Sequence, residues 1–134
     1  MFDALDISGS ALVAQRVRLD AIAGNIANMN TTRNVHGQIG PYQRRFAVFA
    51  SGRAEDASLP GVHVRKIEMD MSPGRKVYDP GHPDADASGH VLYPNIDLAV
   101  EYVNALEASR AYEASVTTME VTKAMMAASL RLLA

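Results

Sequence analysis

Within nine residues the chain places His82, Asp84, Asp86 and His90, two imidazoles and two carboxylates of the kind that ligate divalent metals. Asp84-Ala85-Asp86-Ala87-Ser88-Gly89 also reproduces D-x-D-x-S-G, the opening of a calcium loop. Such a loop needs a bidentate Glu at its twelfth position and a helix leading into it. The twelfth position here is Asn95, Pro94 precedes it, and no helical pattern runs into Asp84. His82 and His90 lack further partners at zinc-ligand spacings. The constellation therefore reads as a polar loop, with a metal-dependent enzyme built on these four residues as the remote alternative.

Other chemistries fail on residue type. No nucleophile elbow, phosphate loop or glycine-rich dinucleotide turn is present. Gly37-Gln38-Ile39-Gly40 is a loop that no strong helix follows. Arg44 and Arg45 beside Tyr42 and Phe46 have the types of a nucleic-acid patch. Two arginines on one strand are more often solvated or paired. The whole chain carries 13 basic and 15 acidic side chains, a net charge of -2, and not the basic excess of a nucleic-acid binder. With no Cys there is no thiol chemistry and no disulfide framework. The residues predict no catalytic group, no cofactor, no metal and no nucleic-acid partner.

What remains is a pattern of surfaces. From about Asp3 to Asn30, Leu5, Ser8, Leu12, Gln15, Leu19, Ile22, Ile26 and Met29 recur at steps of three and four, an a/d stripe on a helix. Asn28, Asn30 and the following threonines close it, since Asn tolerates the left-handed conformation and Thr disfavours propagation. Near the other end, Pro94 blocks any earlier helix, Asn95 is the expected cap and Asp97 belongs in the first turn. Leu98, Tyr102, Ala105, Ser109, Tyr112, Val116, Met119, Lys123, Met126, Leu130 and Leu133 then alternate by four and three, and no Gly or Pro interrupts them. The small residues Ala105, Ala108, Ser109, Ala111, Ala114 and Ser115 permit close approach of a neighbouring helix. Met119, Met125 and Met126 adapt to irregular packing.

Between these helices lie all but two of the glycines and every proline except Pro94. Tyr42, Phe46 and Val48 share one face of a short strand, with Arg44 among them. Val62-His63-Val64-Arg65 alternates, then the phase slips to Ile67 and Met69, which predicts a bulge. Ser72-Pro73-Gly74 is a turn, and Lys76-Val77-Tyr78 reads as a returning strand. The fold class is mainly α with a small β region: a helix over 1–32, a β-hairpin and loop insertion over 33–93 and a second helix over 94–134, forming one elongated unit. A helix of about 37 residues is about 55 Å long. A compact globule of this length is only about 35–40 Å across, so the molecule is elongated or other copies order its ends.

Charge is uneven. Residues 33–66 hold six basic against two acidic side chains, a balance of +4, and residues 67–97 the reverse, -4. This predicts head-to-tail complementarity between copies, setting register more than affinity. No basic n-region or uninterrupted apolar stretch opens the chain, so no cleaved signal peptide is predicted, and no run is long enough to insert directly in a membrane.

Asn25-Ile26-Ala27-Asn28-Met29-Asn30-Thr31-Thr32 resembles the signature of flagellar axial proteins, the rod, hook and hook-associated subunits. Gly40-Pro41-Tyr42-Gln43-Arg44-Arg45, the loop Val77 to Ala85, Tyr93-Pro94-Asn95-Ile96 and Ala108 to Ala114 are similar to the proximal-rod proteins in particular. The signature commonly has two Asn before the Ile, where this chain has Gly24 and Asn25, and the stretch Ala47 to Pro60 matches nothing in it. The resemblance implies a structural subunit of the bacterial flagellar basal body, exported unfolded through the flagellar type III apparatus without a cleaved signal. It implies terminal helices paired as a coiled coil lining the axial channel. It implies as partners copies of itself, the other proximal-rod subunits, the rod-base adaptor protein and the distal rod protein, in a periplasm-spanning drive shaft that transmits torque. The assembly interface expected on this basis comprises Leu5, Leu12, Leu19, Ile22, Asn25, Ile26, Asn28 and Asn30, with Tyr102, Leu106, Tyr112, Val116, Met119, Met126 and Leu130. The alternative is a cytosolic adaptor that grips one partner with its C-terminal coiled coil.

Overall fold

Phe2 to Ala27 make α1 in spite of Gly9 and Gly24, and Leu98 to Leu133, with neither Gly nor Pro, make α2. These are elements of a computed structural model that describes residues 2–133. Between them lie β1 (Arg45–Ser51), β2 (Val62–Met69), β3 (Arg75–Tyr78) and β4 (His90–Tyr93). The protein is mainly helical with a small β region.

Each helix ends for a local reason. Asn28 closes α1 twice over: its backbone N–H and its side-chain Nδ2 both donate to Gly24 O, at 3.1 and 2.9 Å. The expected left-handed Asn is not used; among the described residues only glycines have positive φ. At the start of α2 the cap is Asp97 rather than Asn95. Asp97 Oδ1 accepts from the N–H groups of Ala99 at 2.8 Å and Val100 at 3.3 Å. Asp at this position satisfies orphan amides and faces the positive end of the helix dipole.

The helices run antiparallel. Asn25 meets Glu101, Arg18 pairs with Glu107 at 3.0 Å, and Gly9 lies beside Met119. The line of α2 that α1 covers runs through Glu101, Asn104, Ala108, Ala111, Ser115, Met119, Thr122 and Met126. Of the predicted stripe, Ala105, Ser109, Val116, Met119 and Met126 are half-buried on or beside that line, whereas Tyr102 and Tyr112 are exposed. Small side chains explain the difference: Ala108 and Ala111 let the helix axes approach, whereas Tyr102 and Tyr112 would hold them apart. Hydroxyls on this line need no partner across it. Ser115, Thr122 and Ser129 donate to the carbonyls of Ala111, Thr118 and Met125 within their own helix.

β1 and β2 form an antiparallel hairpin that packs on α1. Val48 faces Lys66 while Phe49 faces Val64, so Arg65 is the extra residue of the anticipated bulge. Ser10 fastens this hairpin to α1, accepting from the Val62 N–H at 3.1 Å. β3 finds its partner not in β2 but in β4, which the sequence pattern did not identify. Their turn depends on Gly89, held at φ 77°, where a Cβ would meet the Tyr78 ring at 2.9 Å.

Little of this molecule is an apolar core. Among the described residues the buried apolar ones are Ala14, Ile22, Val91, Pro94, Ile96 and Ala108, and alongside them Ser8, Asn25, Thr32, Asp84 and Glu101 are buried too. The chain exposes 9000 Å² for a mass of 14.4 kDa. A compact monomer of that mass exposes roughly 6,800 Å².

Candidate assembly interface

Three elements meet at one buried polar joint. Asn25, near the end of α1, treats Arg45 as a strand partner would. Its Oδ1 accepts from the Arg45 N–H at 2.8 Å and its Nδ2 donates to the Arg45 carbonyl at 2.8 Å. The second Nδ2 hydrogen reaches Glu101 Oε2 on α2 at 3.1 Å, and Arg44 Nε donates to Glu101 Oε1 at 2.6 Å. Asn25 and Glu101 are both fully buried. A buried carboxylate is tolerated only when paired and hydrogen-bonded, and here a guanidinium and an amide do both. The joint fixes where β1 leaves the helix pair and locks the rotation of both helices about their axes.

A second joint takes up Asp84 and His82, two of the four residues weighed as metal ligands. Asp84 is buried, accepting from Thr32 Oγ1 at 2.6 Å on one oxygen and from Arg33 Nε at 2.8 Å on the other. The Arg33 guanidinium, then the Thr32 hydroxyl, hold its carboxyl below the usual carboxylate range. The Asp84 N–H donates to His82 Nδ1 at 3.0 Å, and the His82 ring meets the edge of Tyr93. Asp86 instead accepts from Ser88 and from the His90 N–H, which pull its carboxyl down to about 2. Among the described residues no three such side chains converge on a metal position. The D-x-D-x-S-G stretch is the second half of the connection from β3 to β4, and Asp84 ties it to the segment after α1.

Charge complementarity is met in part inside the chain. Of the six basic residues in 33–66, Arg33 pairs with Asp84, Arg44 with Glu101, Arg53 with Asp6 and Lys66 with Glu68. Arg45 lies over the Tyr42 ring at 5.5 Å. Of the six acidic residues in 67–97, Glu68 and Asp84 alone are in ion pairs among the described residues.

The residues expected at the interface divide into three groups. Ile22 and Asn25 are buried between elements of the chain. Leu5, Leu12, Leu19, Ile26, Asn28, Val116, Met119 and Met126 are half-buried along the helix pair. Asn30, Tyr102, Leu106, Tyr112 and Leu130 are exposed. Val103, Val121, Met125, Leu132 and Leu133 are exposed with them, a surface for which no charge or loop signal accounts. The sequence pattern missed Glu101 and Arg44. The available signal was an acid on the small-residue line of α2 and an arginine within the apolar face of β1.

Comparison with known proteins converges on these segments. A family model described as "Flagella basal body rod protein" matches residues 5–33, which carry Asn25 and end at Arg33. Another, described as "Flagellar basal body rod FlgEFG protein C-terminal", matches residues 87–132, which carry Glu101. The flagellar basal-body rod protein FlgC of Bacillus subtilis (strain 168) is 41% identical, over 98% of this chain and 97% of its own length. That of Escherichia coli O157:H7 is 40% identical and that of Salmonella typhimurium 39%, each over 98% of this chain and 97% of theirs. Matched at both helices and aligned with these relatives from end to end, the chain belongs to the FlgC family of flagellar basal-body rod proteins.

Proposed function

We propose that the chain is a structural subunit of the proximal rod, which polymerises by covering its exposed helix faces with neighbouring subunits. The observation that carries this reading is surface. The chain exposes about 2,200 Å² more than a compact monomer of its mass, and a standard protein interface buries about 1,600 Å² in total. Exposed side chains such as Tyr102, Leu106 and Leu130 each contribute about 1.5–3 kcal/mol once buried, so association is favoured. Contacts that do not close into a ring generate a helical filament. An α2 without Gly or Pro is a stiff element suited to bearing torque.

On this reading α1 and α2 act as a coiled-coil pair, with 1–32 and 94–134 as the assembling ends and 33–93 as the insertion that faces outward from them. The neighbours are further copies, the other proximal-rod subunits, the rod-base adaptor and the distal rod. The route is export through the type III apparatus without a cleaved signal, to a rod that spans the periplasm. The family supports association with other rod components and a place in the basal body. The test is fractionation of a strain lacking the native gene and carrying a tagged copy. The chain is expected in purified basal bodies, with motility restored. Recovery in the cytosol alone, with intact basal bodies, would favour a soluble adaptor.

A further inference from the structure

The charges that folding leaves over in the insertion are few enough to place. Of the acids in residues 67–97, Glu68 and Asp84 are ion-paired, Asp70 and Asp86 accept from the serines two positions on, and Asp97 caps α2. That leaves Asp79, which is exposed and stands beside Tyr78, 67% exposed, where the β3–β4 connection begins. This corner is fixed in shape. The Asp79 N–H donates to Gly89 O at 2.9 Å, the His82 N–H donates to Asp79 O at 3.2 Å, and the Tyr78 ring meets His90 edge-on. Of the basic residues in 33–66, Arg45 and Arg65 are in no ion pair among the described residues. Arg45 lines a groove of about 850 Å³ between the end of α1, the loop 33–40 and the start of β1. Tyr42, Met69 and Val35 line it too, and Arg33 and Arg45 are its only charges. Asn34 holds the loop wall, its Oδ1 accepting from the His36 and Gln38 N–H groups, both at 3.0 Å.

We propose that this groove receives the β3–β4 connection of a second copy, with Tyr78 of that copy against Tyr42 and Met69, and its Asp79 beside Arg45. The inference rests on the rod reading and adds a contact made by the insertion instead of the helices. Charge complementarity selects the occupant. The groove carries two arginines and no acid, and the same chain presents the one carboxylate of 67–97 that its own fold leaves without a partner. Groove and connection are different surfaces, so the contact is heterologous and repeats from copy to copy, as a filament requires. Both sides are held in shape by their own turns, so docking costs little ordering.

The chain has no Cys, so introduced cysteines report the contact without background. Two differently tagged copies, one with Val35→Cys and one with Gly81→Cys, are expressed together, and purified basal bodies are treated with a short bis-maleimide. Val35 is 93% exposed, and a Cβ at Gly81 meets only Asp79 Oδ1, at 3.7 Å, so neither change disturbs the fold. A dimer of twice 14.4 kDa that bears both tags is expected. Its absence, or dimers that bear one tag alone, overturns the proposal. A charge swap tests the pair. Asp79→Arg and Arg45→Asp each set like charges together, and each is expected to lower the chain recovered in basal bodies at least about fivefold. Both changes in one chain are expected to restore it to within about twofold, since the pair is re-formed with its signs exchanged. Normal incorporation of either single variant, or poor incorporation of a double variant whose urea midpoint is unchanged, counts against the contact. Absence of the unsubstituted chain from basal bodies sinks the rod reading instead, and the inference with it.

Discussion

Asn25 and Glu101 are hydrogen-bonded at 3.1 Å across the two helices, and neither side chain touches solvent. The same Asn25 amide also pairs with both backbone groups of Arg45, so one side chain holds α1, β1 and α2 together. Asn25→Leu leaves an N–H, a carbonyl and part of a carboxylate unsatisfied at once. The expected loss is about 2–4 kcal/mol, read as a lower urea midpoint at an unchanged slope. A double-mutant cycle with Glu101→Gln is expected to show coupling of about 1 kcal/mol or more. Strict additivity would mean the contact is incidental.

Arg44 is the cation of that joint. Arg44→Met removes the guanidinium and leaves Glu101 buried without its counter-charge. Breaking one side of a buried pair is expected to lower stability by about 3–5 kcal/mol. Arg44→Met combined with Glu101→Leu is expected to regain most of that loss, because the second change takes the charge away. Thermal melting of the two variants checks the order: the single variant below the double.

How much of this was legible beforehand depends on what each residue's position reveals. The α1 stripe and the bulge at Arg65 show in the sequence because apolar spacing alone fixes them. The contact line of α2 shows only in part. Tyr102 and Tyr112 keep the heptad period and outweigh Glu101 and Ala108 in any hydrophobic pattern, yet close packing selects the small residues. Glu101 lies inside only because Arg44, 57 positions away, and Asn25, 76 positions away, meet it there. The opposite charges of the two middle stretches predict contact between copies, and one such pair closes within the chain. Nothing in local sequence shows that Arg33 reaches Asp84 within its own chain.

Acid is expected to loosen the insertion. Asp84 is held below the usual carboxylate range by Arg33 and then Thr32, and Asp86 is held at about 2 by Ser88 and the His90 amide. A depressed folded value contributes stability above the unfolded value, ~3.9 for Asp, and that contribution is lost as pH falls through the folded value. The urea midpoint is therefore expected to drop between about pH 4 and pH 2. Asp84→Asn is expected to start lower at neutral pH and to flatten the slope over that interval. An unchanged slope in Asp84→Asn would remove Asp84 from this account.

Leu106 and the end of α2 separate folding from assembly. Leu106 is 54% exposed and turned away from α1, so Leu106→Asp leaves the buried joint untouched. If a neighbour covers it, the new carboxylate is desolvated without a partner and rod assembly stops. Tyr112→Asp is expected to block assembly as well, but Tyr112 stands nearer the covered line and its loss also reaches the helix pair. The last two turns of α2 make the cleaner case. Gly9 of α1 is level with Met119, so α1 reaches its first residues at about Met126, and Leu130, Leu132 and Leu133 lie beyond it, exposed among the described residues. Deleting about the last ten residues is then expected to leave expression and the joint at Asn25 intact while abolishing incorporation into basal bodies, because only an intersubunit contact is lost. The readout is chain recovered from basal bodies against chain in the whole cell. Rods of normal length and full motility in the truncated strain would contradict the role given to these leucines.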